Sequence, residues 1–166
     1  METDSFGLEE KAREGVDVRI IYDDVGCLTT LPFHYIAKLE KMGISCMAFN
    51  PFRPLFSLAV NNRDHRKILV IDGYTAYTGG INLADEYINL VEKYGHWKDT
   101  AVRVQGEAAL AFLEMFLEMW DAFSAKKDKL SDFVPEITWK SVTAAGYVQP
   151  FYDSPLDEKP TGKICI

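Results

Sequence analysis

The chain has 166 residues, 48% of them hydrophobic and 26% charged, an ordinary globular balance long enough for one domain with a single sizeable core. Its formal net charge of −7 argues against a whole-chain electrostatic grip on nucleic acid, whose phosphates reward clustered lysine and arginine. Cys27, Cys46 and Cys165 show neither close pairing nor metal-ligand spacing and read as reduced thiols; no apolar run approaches the ~20 residues that span a bilayer, and the short acidic start from Met1 to Gly7 is not a signal peptide.

In chain order, Leu8 to Glu14 reads as a short helix stopped by Gly15. Val16 to Tyr22 (VDVRIIY) is rich in β-branched residues and predicts a strand, followed by a loop at Asp23-Asp24 and Gly26. Thr30 to Met42 predicts an amphipathic helix that includes His34, with Gly43 as its cap. Ile44 to Phe49 is the next strand, and Asn50 to Arg66, with two prolines and paired asparagines, reads mainly as loop. The apolar residues in Pro51 to Val60 of that loop are candidates to touch lipid, or else to be simply buried. Lys67 to Ile71 (KILVI) is a near-continuous apolar run, the pattern of a strand buried on both faces. Asp72-Gly73 predicts a tight turn into a partner strand, Thr75 to Thr78. Trp97 to Val104 is a further strand. Glu107 to Ser124 is the strongest helix, with Ala109, Phe112, Phe116, Met119, Trp120 and Phe123 on one stripe. Beyond it, Ala125 to Lys129 is charged, and Pro135, Pro150, Pro155 and Pro160 break any long element. The alternation of strands and helices predicts an α/β layered domain.

Chemistry concentrates in Arg63 to Asn82, RDHRKILVIDGYTAYTGGIN. His65 and Lys67 stand two apart at the entrance to a strand, so in extended chain they point to one face. A histidine able to attack phosphorus and a lysine able to hold its oxygens would then share a pocket. Gly79-Gly80 follows a strand, where backbone N–H groups can approach an anion closely, and the Asn82 amide can donate to a phosphate oxygen. By the same alternation Asp72 falls on the face opposite His65.

The pattern His65-x-Lys67-x4-Asp72-x6-Gly79-Gly80-x-Asn82 resembles the HKD signature of the phospholipase D superfamily, with every defining position present. From about Leu8 to Phe123 the chain resembles bacterial cardiolipin synthases, through EGVDVRIIYDDVG, NNRDHRK, TGGINLADEYI, GHWKDTAV and FLEMW, and it looks like the first of that family's two HKD halves. The resemblance implies a phospholipase-D-like layered sandwich, with a mostly buried central mixed sheet and helices on both faces. It implies an HKD domain over residues 1–124, with 125–166 a linker or the start of a second, truncated half. It also implies a ping-pong phosphatidyl transfer without metal or cofactor. One histidine attacks phosphatidylglycerol to form a phosphatidyl-histidine, and a second phosphatidylglycerol then takes the phosphatidyl group to give cardiolipin. His65, Lys67 and Asp72 carry over as the catalytic signature, Asp72 in a supporting role. Gly79, Gly80 and Asn82 carry over as the phosphate cradle, and Asp99, in HWKDT, as the carboxylate that orients His65.

His96-Trp97-Lys98 repeats the His-x-Lys spacing but lacks the rest of the signature and reads as a structural or substrate-flanking segment. Asp23 and Asp24 keep a supporting role through the YDD match. The family mechanism needs two motif histidines, so the second HKD half must come in cis from a longer parent or from a homodimer partner. The sequence reads as a fragment of such a parent, soluble and inactive alone, the parent acting at the bacterial cell membrane on its cytoplasmic side with no nucleic-acid partner. A single-motif homodimeric phosphodiesterase or endonuclease is the alternative, which the acidic charge disfavours. A non-catalytic scaffold is a third class, which the intact His65, Lys67 and Asn82 disfavour.

Overall fold

A computed structural model describes residues 2–27, 31–51, 63–82, 84–134, 136 and 148–152. Residues 52–62, which carry most of the apolar loop named above, and most of the proline-bearing tail lie outside the described residues. The chain divides into two units, one of Met1–Arg66 with Ile81–Asp99, the other of Lys67–Gly80 with Thr100–Ile166.

The first unit begins with α1 (Glu2–Arg13), whose last turn carries Lys11 and Arg13 at the negative end of the helix dipole. It then runs through β1 (Arg19–Asp23), the single turn α2 (Asp24–Cys27), α3 (Tyr35–Lys41) and β2 (Ser45–Phe49). β1 and β2 pair in parallel, from Arg19 opposite Ser45 to Asp23 opposite Phe49. A parallel pair needs a crossover, and α2 with α3 supplies it. Leu39 of α3 and Ile44 just before β2 are each 1% exposed and form the buried seam of this βαβ unit. Gly43, at φ 80°, donates to the Glu40 carbonyl while Ile44 N–H donates to Leu39, which closes α3 where the sequence predicts its cap. The helix start differs from expectation. Pro32 and a left-handed His34 (φ 65°) hold the chain out of the helix, so His34 caps α3 rather than lying within it.

The second unit is an antiparallel sheet of β3 (Ile68–Ile71), β4 (Thr75–Gly79) and β5 (Ala101–Gln105), with α4 (Glu107–Phe123) packed on it. Asp72 and Gly73 both take positive φ, 52° and 61°, and Tyr74 N–H donates to the Ile71 carbonyl at 3.0 Å. This mirror-image turn follows the right-handed twist of the hairpin, and Asp-Gly suits it. Ala76 and Ala109, each fully buried, bring sheet and helix close. Phe112 and Met115 pack beside them on Ile68, Val70 and Val104. The buried face of α4 also takes in Leu113, Leu117 and Trp120, whereas Phe123 is half exposed.

The α/β class expected from the sequence holds. The strands of the described residues form two sheets, a parallel pair and an antiparallel trio, rather than one mixed sheet. Nor is β3 buried on both faces, since Leu69 and Ile71 are 52% and 44% exposed while Ile68 and Val70 face the α4 core. An antiparallel sheet can leave one face uncovered, which a run of apolar residues does not reveal.

Candidate active site

His65 lies exposed in the non-strand segment that leads into β3. The residues on either side of it pair with each other. Arg66 Nε donates to Asp64 Oδ1 at 2.9 Å and its backbone N–H to the same oxygen at 3.1 Å. Residues two apart in extended chain share a side, and this pair occupies one side of the His65 segment. Arg63, two residues before His65, reaches the carboxylate of Asp23 at 2.7 Å. No sequence signal marks Arg63 for this contact. Its partner stands 40 residues away, and no periodicity marks such a pair.

Lys67 is half buried immediately ahead of β3, in the second unit. Asp72 lies in the same unit at the other end of the strand, exposed in the β3–β4 turn. At about 3.3 Å per residue, the strand between them is roughly 13 Å long, beyond the reach of direct contact. The structure therefore puts Asp72 to use as a turn residue.

Gly79 ends β4. A Cβ there would lie 2.5 Å from the Thr100 carbonyl oxygen and 2.9 Å from Ala101 Cα, both backbone atoms that cannot swing aside. Gly80 N–H points to the same carbonyl at 3.4 Å, a long bond. The glycine pair thus packs its backbone closely on the start of β5. Asn82 is half buried, and its carbonyl accepts from Ala84 N–H at 3.0 Å.

His65, Asn82 and Asp99 belong to the first unit, and Lys67, Asp72, Gly79 and Gly80 to the second. Asp99 is exposed and accepts from the Trp97 indole N–H at 3.4 Å. Trp97 itself anchors the loop after Asn82. The Asn89 side chain receives its N–H at 2.6 Å and donates to its carbonyl at 2.8 Å, and Tyr87 stands edge-on with ring centroids 4.9 Å apart. The His96-Trp97-Lys98 segment therefore has a structural task.

Histidine, lysine and amide donors are the residue types that nucleophilic attack on a phosphodiester calls for, and the signature holds all of them. Fold class and motif together define a phospholipase-D-like domain, and comparison with known proteins agrees. The family described as "Cardiolipin synthase, PLD-like domain" matches residues 6–120, the whole HKD signature included. The chain belongs to this family. It is 50% identical over 158 residues to an uncharacterized protein of Streptococcus mutans, covering 94% of this chain and 33% of that one. It is 41% identical over 117 residues to a cardiolipin synthase of Oceanobacillus iheyensis (70% and 24%) and 38% identical over 160 residues to a cardiolipin synthase of Listeria welshimeri (95% and 33%). The chain thus spans at most about a third of the length of these relatives. Among the described residues no helix is long and apolar enough to cross a membrane.

Proposed function

We propose that this chain is the first half of a phosphatidyltransferase that makes cardiolipin from two molecules of phosphatidylglycerol. The reading is carried by the complete signature, His65 to Asn82, lying inside the family match at residues 6–120. In the first step a motif histidine attacks the phosphorus of phosphatidylglycerol. The bond to the headgroup glycerol breaks, and the leaving oxygen takes a proton from the other motif histidine. In the second step the free hydroxyl of another phosphatidylglycerol returns a proton to that histidine and attacks the phosphatidyl-histidine; the P–N bond breaks and cardiolipin leaves. His65 fills one of these two roles. Lys67 and Asn82 hold the phosphoryl oxygens as charge builds on them, and Asp99 orients the imidazole.

The proposed domain extends to residue 124, just past the end of α4 at Phe123. Residues 125–166 lead toward the second half. That half supplies the other histidine, in cis in a longer parent or from a partner copy. The parent works at the cytoplasmic side of the bacterial cell membrane, where its lipid substrate lies. One half lacks either a nucleophile or a general acid, so the isolated chain is inactive.

The test grafts this chain in place of the corresponding third of the Listeria welshimeri cardiolipin synthase and measures cardiolipin formed from phosphatidylglycerol vesicles by mass spectrometry. The graft is expected to turn over, His65→Ala to abolish turnover, and Lys67→Ala to lower it by about 10²–10³. The chain alone is expected to give no cardiolipin. A folded but inactive graft would overturn the assignment, and turnover by the chain alone at the rate of the graft would overturn the half-site.

A further inference from the structure

Asp23 closes β1, at the carboxyl end of a parallel pair, the end at which α/β units bind their ligands. Its carboxylate is largely shielded, with 11% of the side chain exposed, and its two oxygens serve different partners. Oδ1 accepts the Gly26 N–H at 3.3 Å, which ties the chain turning out of β1. Oδ2 accepts Arg63 Nε at 2.7 Å, from 40 residues further along the sequence. Gly26 completes the arrangement, because a Cβ on it would stand 2.8 Å from Arg63 Nη2, in the space the guanidinium occupies. All of these residues belong to the first unit, as does His65.

We infer that the Asp23–Arg63 pair is a clamp that positions the His65-bearing segment on the end of β1. His65 stands two residues beyond Arg63 in chain without regular secondary structure. Without a tether such a segment samples many conformations, whereas a reacting group must be held to a fraction of an ångström. Asp23 is a suitable post because β1 is held to β2 along its whole length. The Arg63 side chain is 45% exposed, so the pair contributes little to global stability, and its effect is local. Asp23 and Arg63 are therefore positioning residues. Their importance for turnover rests on the reading of His65 as a reacting histidine, but the clamp is measurable without catalysis.

The experiment compares the full 166-residue chain with Arg63→Gln, Asp23→Asn and Arg63→Lys, by amide hydrogen exchange and by the NMR signals of the His65 imidazole. Asp23→Asn keeps an oxygen for the Gly26 N–H and removes the charge that Arg63 grips, so it isolates the clamp from the turn. Arg63→Gln and Asp23→Asn are expected to speed exchange at Asp64–Arg66 about fivefold, in line with a partly exposed charged bond, and to shift or split the His65 signals. Arg63→Lys is expected to recover part of the effect. Amides of β1 and β2 are expected to keep their protection in all three variants. Unchanged exchange at residues 64–66 with unchanged His65 signals overturns the inference. So does an equal loss of protection throughout β1 and β2, which would mark the pair as merely structural. The Arg63 variants keep the test decisive if Asp23→Asn does not fold. An inactive graft paired with a responsive His65 would sink the cardiolipin reading and leave the clamp standing.

Discussion

Asp72 and Lys67 belong to one signature and stand at opposite ends of β3. Asp72 has φ 52° in a turn that needs positive φ twice in succession. Aspartate, asparagine and glycine tolerate that conformation, whereas a β-branched residue does not. Asp72→Asn and Asp72→Gly are therefore expected to stay within about 0.5 kcal/mol of the native stability, and Asp72→Val to lose about 1–2 kcal/mol, as read from urea unfolding. A loss for Asp72→Gly as large as for Asp72→Val would show that the carboxylate, not the turn, matters. Gly79 illustrates the reverse case. The resemblance implies a phosphate-cradle role for it, and the fold adds a separate constraint, the Thr100 backbone 2.5 Å from any Cβ it might carry.

At the level of elements, periodicity serves α4 and misleads on β3. The α4 stripe is long enough for its period to be read, and Ala109, Phe112 and Trp120 are buried as that period predicts. β3 has four residues, all apolar, so no alternation survives in the sequence to show which face is covered. The fold separates the faces: Val70 lies on α4, and Leu69 is 52% exposed. Phe112→Ala should accordingly cost about 3–5 kcal/mol through its cavity, whereas Leu69→Thr should cost no more than about 0.5 kcal/mol. Thermal unfolding of the two variants decides the matter, and a Leu69 variant as damaged as the Phe112 variant would mean that both faces are covered in solution.

For the whole molecule, the chain spans at most about a third of the length of its relatives. Its folding also carries a pH signature. Burial pushes the Cys46 thiol up from 9.0 to about 11, and burial, with Asp24 nearby, pushes the Tyr22 hydroxyl up from 10.0 to about 12. Between about pH 9 and about pH 11 the unfolded chain therefore releases protons that the folded chain keeps, and stability falls as pH rises. The urea midpoint should drop over that window, and Cys46→Ala should flatten the drop. A midpoint that rises with pH would contradict the burial of these groups.

The sequence by itself determined the family, the α/β class, and the turns at Gly43 and Asp72-Gly73. These are local or periodic properties, written in residues that are neighbours in the chain. Only the tertiary structure decided that the strands form two sheets, that β3 shows one apolar face to solvent, and that Asp23 grips Arg63 across 40 residues. Each of these depends on which distant segments meet. The sequence of one chain does not show that, because such contacts follow no repeat.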